Sequence, residues 1–200
     1  MRELEELRRR FGGHEPGLMG ARHRYAVLCP LVEKDDGLHL LCEVRAAGLR
    51  QGGEVCFPGG RAEPGESIID CALRETAEEL SIPSSEVSLL GTPDFICNQR
   101  GFLLHPVLGL VSPAGLESMR PSPAEVAEVF TVPVAFFWAT EPEVYAYDLL
   151  PQGPEGFPSE ALGIARDYPW SRGRVVVPVW RYEGHVSWGL TGRIVRELVK

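Results

Sequence analysis

Hydrophobic and polar positions along this chain change period several times, and each change marks an element. Between Met1 and Phe11, Leu4 and Leu7 stand apolar among charges, the spacing of a short amphipathic helix. Gly12-Gly13 and Pro16-Gly17 then break the chain. Tyr25 to Val32 is almost continuously apolar, Asp35-Asp36-Gly37 is a turn signal, and Leu38 to Val44 is apolar again. Two such runs around a turn predict paired strands. At roughly 100° per residue, Ile68, Ile69, Ala72, Leu73, Ala77 and Leu80 fall on one stripe and predict a helix packed on a core. Ser67 is its expected cap, with Asp70 completing a Ser-x-x-Asp pair.

Glu86 to Gly91 and Asp94 to Cys97 read as short strands, and Gly101 to Val111 as a longer one. His105 on that run is expected in the core or a pocket wall. Ser112 to Pro123, with its prolines and serines, predicts a loop. Glu143 to Leu150 and Val175 to Tyr182 predict strands, Glu183-Gly184 a turn, and Val186 to Val199 a closing helix. Pro151 to Arg174 is a long Pro- and Gly-containing connection. Its Phe157, Tyr168 and Trp170 either fold over a ligand or pack on the domain. Strands alternating with a few helices predict an α/β chain with a mixed sheet.

Composition narrows the functional classes. The 200 residues fit one domain with a sizeable core. A formal net charge of −8 argues against a general nucleic-acid binder, which presents a basic surface. An acidic protein handling an anionic substrate needs local arginines and a metal to reverse the field. The five cysteines (Cys29, Cys42, Cys56, Cys71, Cys97) form no CxxC pair and are expected as buried free thiols, which fits a reducing cytoplasm. No apolar run reaches about 18 residues, no signal-peptide core is present at the start, and no membrane role is expected.

The stretch FPGGRAEPGESIIDCALRETAEELSI, Phe57 to Ile82, concentrates the chemistry. Glu75, Glu78 and Glu79 share one helix face, because positions i, i+3 and i+4 do. Like charges so spaced destabilise an isolated helix. A hard divalent cation such as Mg²⁺ or Mn²⁺, which prefers carboxylate oxygens, explains them. The three glutamates are expected to project away from the apolar stripe. Gly59 and Gly60 let the preceding loop approach a ligand closely.

Gly60-x5-Glu66-x7-Arg74-Glu75-x2-Glu78-Glu79 resembles the box of the Nudix hydrolases, which cleave nucleoside diphosphates linked to another group. At about 7% per residue type, six fixed matches coincide with a probability on the order of 10⁻⁷ per start point, so the resemblance is specific. Thr76 stands where the family has an aliphatic residue, and Ser81 where a Gly ends the helix. Upstream, Arg45-Ala46, Arg50, Gly53 and Phe57-Pro58-Gly59-Gly60 resemble the signature of the coenzyme A diphosphatases. Two departures are evident: Arg50 to Gly53 is one residue short, and Leu41-Cys42-Glu43 replaces the commoner Leu-Leu-Thr. Arginine forks suit phosphate oxygens; the plain alternative is two surface arginines.

Glu128-Val129-Phe130-x-Val132-Pro133 and the segment around Trp188-Gly189 resemble the same subfamily, so the likeness runs in pieces from about Tyr25 to the C-terminus. It implies an α/β/α Nudix fold over residues 23–200, preceded by a helix and connection in 1–22. It also implies Mg²⁺ or Mn²⁺ on Glu75, Glu78 and Glu79, and Arg74 orienting a neighbouring glutamate. Glu66 is expected to anchor the loop. Glu78 is expected to be catalytic. Glu125, with Glu128 as second choice, is expected as a further ligand or the base. Arg45, Arg50, Phe57, Gly59 and Gly60 are expected to meet substrate. The implied reaction splits coenzyme A or acyl-CoA into 3′,5′-ADP and (acyl-)4′-phosphopantetheine; oligomeric state stays open, although relatives suggest a homodimer. Two alternatives stay open: another nucleoside diphosphate such as ADP-ribose or NADH, and a non-catalytic nucleotide-binding module.

Overall fold

A computed structural model describes residues 2–14, 17–20, 23–151, 157–165 and 168–200. Helix α1 (Arg2–Phe11) buries none of its residues, and the break predicted at Pro16-Gly17 lies partly outside the described residues. Strands β1 (His23–Lys34) and β2 (Gly37–Arg45) form the predicted hairpin, with Lys34 opposite Gly37. They stay paired only as far as Leu31 and Leu40 and then splay. Two short strands fill the gap: β3 (Val55–Cys56) on β2 and β4 (Gly59–Arg61) on β1. The Phe57-Pro58 link between them is tied down by the Leu28 N–H, which donates to the Pro58 carbonyl at 2.9 Å.

Helix α2 (Ile68–Leu80) follows, then a 3₁₀ turn at Ser84–Glu86 and strands β5 (Val87–Gly91), β6 (Ile96–Asn98) and β7 (Phe102–Val111). β7 runs parallel to β1 from His23↔Phe102 to Leu31↔Leu110, while the other pairs are antiparallel, so the sheet is mixed. Where a loop was expected after Ser112, a short helix α3 (Pro113–Ser118) forms instead. The Ser112 hydroxyl caps it by accepting from the Gly115 N–H, and Pro113 sits in its first turn, where a missing N–H costs nothing. Strand β8 (Val126–Pro133) extends the sheet beside β2 and runs into helix α4 (Val134–Ala139).

A second, three-stranded sheet comprises β9 (Glu143–Leu149), β10 (Gly173–Tyr182) and β11 (His185–Ser187). β11 corrects the expected closing helix. His185 to Ser187 pairs with β10, and helix α5 occupies only Gly189–Leu198. In the 151–174 connection, part of which lies outside the described residues, Tyr168 and Trp170 pack edge to face with centroids 4.9 Å apart.

Alternate residues of the large sheet feed two cores. On one face Ala26, Leu28, Leu41 and Val107 pack on Cys71, Ala72 and Leu80 of α2. On the other, Leu40, Cys42, Leu104 and Val132 pack with Phe137 of α4, Trp180 of β10 and Ile194 and Val195 of α5. Helices thus cover both faces. Of the cysteines, Cys97 is exposed rather than buried.

Candidate active site

The site forms where α2 meets the splayed strands. Ser67 starts the helix as its side chain accepts from the Asp70 N–H at 3.0 Å and donates to the Asp70 carboxylate at 2.6 Å. Ser81 ends it in the left-handed conformation (φ 58°, ψ 27°), a geometry costing an L-residue about 1–2 kcal/mol. Its N–H is satisfied by the Ala77 carbonyl, and its hydroxyl donates to the Arg120 carbonyl at 2.9 Å. Arg120 and Ser122 donate their N–H groups to the carbonyls of Leu80 and Glu79, which satisfies the helix's orphaned last turn. That tie also brings the chain leading to Glu125 beside the helix. Buried Thr76, the other departure, turns its hydroxyl back to the Ala72 carbonyl at 2.7 Å.

The three box glutamates do not all project away from the core, as the periodicity suggested. Glu78 is exposed, Glu75 is half-buried, and Glu79 is only 6% exposed. Burial continues past the apolar stripe because the glycine loop closes over the helix. The Gly59 N–H donates to Glu79 Oε2 at 2.8 Å. A Cβ on Gly60 would overlap the Glu75 carboxylate. Arg74 is the hub: Nε donates to Glu66 at 2.8 Å, and Nη1 donates to Glu75 at 2.8 Å and to Glu78 at 3.1 Å. Glu66 in turn accepts from the Glu63 N–H at 2.8 Å, which fixes the loop before the helix.

Sequence reasoning assigned no role to Glu43. It is 1% exposed, and its place on β2 puts it on the same face as Leu41, toward α2. Its Oε1 accepts from the Cys56 thiol at 3.2 Å, whereas Oε2 is buried with no partner among the described residues. A charged residue inside an otherwise apolar run was the available signal.

Burial, aided by neighbouring carboxylates, raises the proton affinity of Glu43, Glu75 and Glu79. Burial first, then the charge of Glu43, pushes Glu79 up to about 8, with Glu125 and Glu75 adding to it. Burial pushes Glu43 up to about 7, with Glu125 adding and Arg45 opposing. Glu75 is likewise raised, chiefly by burial. Glu66 goes the other way, down to about 2, because Arg74 hydrogen-bonds it. Glu125 thus lies within the field of the cluster. Glu128 does not join it: it faces the opposite side of the sheet and meets His185 at 3.1 Å, whose ring stacks on Phe130.

The remaining expected residues separate. Arg45 is half-buried on the cluster's side, its Nε donating to the Arg50 carbonyl at 3.4 Å, while the Arg50 side chain is exposed. Phe57 is 3% exposed and packs in the core on the far face, so it supports the loop from beneath. His105 is half-buried against Phe95, its Nε2 without a partner among the described residues, and burial lowers its pKa. Beside the box, Arg24 and Arg61 border an open groove of 590 Å³.

Among the described residues, no three His, Cys, Asp or Glu side chains converge closely enough to hold an ion as they stand. The donor set nevertheless fits a hard divalent cation. It is all carboxylate oxygen, it is mutually repulsive, and it includes a buried oxygen without a partner.

The NUDIX domain model matches residues 22–150. This chain belongs to the Nudix family. The uncharacterized Nudix hydrolase NudL of Photorhabdus laumondii is 37% identical over 177 residues, covering 88% of this chain and 82% of that protein. NudL of Yersinia enterocolitica is 35% identical over 195 residues, covering 93% and 85%. Among solved structures, the Nudix hydrolase RenU of M. smegmatis aligns with a TM-score of 0.47 at 21% identity, covering 57% of this chain and 73% of that one. As a Nudix hydrolase the protein acts on a small nucleoside diphosphate derivative, and divalent metal use is general in the family. No helix among the described residues is long and apolar enough to cross a membrane.

Proposed function

We propose that this Nudix hydrolase splits the diphosphate of coenzyme A or acyl-CoA, giving 3′,5′-ADP and 4′-phosphopantetheine or its acyl form. The observation that carries this reading is the segment Arg45 to Gly60. Its arginine and Phe-Pro-Gly-Gly pattern resembles the coenzyme A signature, and it folds so that Arg45 and Gly59-Gly60 border the carboxylate cluster. Glu75, Glu78 and Glu79 would hold Mg²⁺ or Mn²⁺, which when bound offsets phosphate charge and lowers the pKa of a coordinated water. Arg74 holds Glu75 and Glu78 in place through Nη1. Glu125 accepts the proton as water oxygen bonds to one phosphorus and the bridging P–O bond breaks. Arg45 pairs with phosphate oxygens.

Chromatography of products after incubation with coenzyme A, acyl-CoA and ADP-ribose, with and without Mn²⁺, tests the assignment. Metal-dependent 3′,5′-ADP from the coenzyme A substrates is expected, and Glu79→Gln should abolish it. Preferential cleavage of ADP-ribose would refute the substrate. Tight coenzyme A binding without turnover in the presence of Mn²⁺ would refute the enzyme.

A further inference from the structure

We propose that Glu43 is a further metal-ligating residue, so that the cation site reaches from the box helix across to strand β2. The inference rests on the metal reading above but concerns a residue outside the box, at a position where the coenzyme A signature that this chain resembles has Thr.

Three observations converge on it. Glu43 is 1% exposed, and a buried carboxylate is retained when it is hydrogen-bonded, paired with a cation or bound to a metal. Only half of that requirement is met from within the protein. The Cys56 thiol donates to Oε1, a weak bond at 3.2 Å, and Oε2 is unpartnered among the described residues. No ion pair to Glu43 forms among the described residues, and the Arg45 Nε donates to the Arg50 carbonyl at 3.4 Å.

The direction of the side chain supplies the second observation. Leu41 packs against α2, and strand alternation sends Glu43 the same way. Its partners across the sheet agree. Cys56, opposite Glu43 in register, turns its sulfur to it, and Val129, also opposite, packs in the α2-side core.

The company it keeps is the third. Cys56, whose thiol reaches Glu43, is three residues from Gly59, whose N–H donates to Glu79 Oε2 at 2.8 Å, and Glu79 is only 6% exposed. The short Cys56-to-Gly59 segment thus ties the β2 wall, which carries buried Glu43, to the α2 wall, which carries buried Glu79. A neutral hydrogen-bonding residue would fill the strand position at lower electrostatic cost. A carboxylate belongs there when a doubly charged ion sits between the walls.

Mn²⁺ titration of the metal-free protein by calorimetry, with Glu43→Gln beside the unmodified chain, tests this without any substrate. Gln keeps the volume and an acceptor for Cys56. Its Kd for Mn²⁺ should rise at least fivefold, while the metal-free melting temperature holds or increases because a buried charge is gone. A smaller change in Kd overturns the proposal. Crystals of the unmodified protein soaked in Mn²⁺ give a reading that does not depend on the variant folding. Glu43 Oε2 should coordinate the ion at about 2.1 Å, and an ion bound only by α2 side chains overturns the role. If the unmodified protein binds no Mn²⁺, the metal reading fails together with this one. If it binds Mn²⁺ through Glu43 but leaves coenzyme A intact, only the substrate assignment fails.

Discussion

Adjacent glycines in the loop before the box should fail in opposite ways when each is replaced by Ala. At Gly59 a Cβ would overlap the Ala26 carbonyl oxygen and stand 2.6 Å from Val27 Cα. Both belong to β1, which is paired with β7 along nine consecutive residues, so neither can retreat. Forcing extra volume against a fixed backbone costs about 1–3 kcal/mol, which in a chain of this size lowers the melting temperature by about 3–10 °C. At Gly60 the three nearest atoms that a Cβ would meet all belong to the Glu75 carboxylate, the far end of a half-buried side chain that can rotate away.

Gly60→Ala should therefore cost under about 1 kcal/mol of stability. It should evict Glu75 from its place between Arg74 and the loop, weakening divalent-metal affinity about 10- to 100-fold. Thermal melts of both variants and Mn²⁺ titration of Gly60→Ala provide the comparison. If Gly60→Ala melts as low as Gly59→Ala while binding Mn²⁺ normally, then the glycine serves the fold and does not place Glu75.

Arg74→Lys replaces a fork that spans Glu66, Glu75 and Glu78 with a single ammonium. Turnover should fall about 10- to 100-fold, with the substrate KM little changed; steady-state kinetics at saturating metal would contradict this if kcat stayed within twofold. The metal-free protein should also lose stability as pH rises. Glu79 and Glu43 are raised in the folded state to about 8 and about 7 from an ordinary 4.5, so the fold binds their protons more tightly than the unfolded chain does. That stabilisation is complete below about pH 4.5 and is lost as pH climbs through 7 to 8, a change on the order of a few kcal/mol at about 1.4 kcal/mol per pKa unit. Melts in chelator from pH 5.5 to 8.5 should show the decline and Mg²⁺ should flatten it; a melting temperature that is level or rises with pH would refute the coupling.

Much of this protein is written in runs of neighbouring residues. The α2 helix, its Ser67 cap, the glycine loop, the β1–β2 hairpin and the box spacing depend on side chains a few positions apart, so periodicity exposes them. Chance matching could not produce six fixed box positions, and the family followed from them. Short elements escaped for the converse reason. Helix α3 owes its start to one Ser112 hydroxyl, and the three residues of β11 are strand only because β10 lies alongside.

Tertiary structure alone decided the composition of the site. Periodicity put Glu75, Glu78 and Glu79 on one exposed face, but closure of the glycine loop buried Glu79 and left Glu78 in solvent. Glu125 and Glu128 are three residues apart on the chain, yet one lies within the field of the carboxylates and the other meets His185 across the sheet. Glu43 comes from a strand 32 residues before Glu75 in the sequence. The energy of gathering like charges depends on distance and burial, and both are set by how the sheet splays, which no local pattern of residues records.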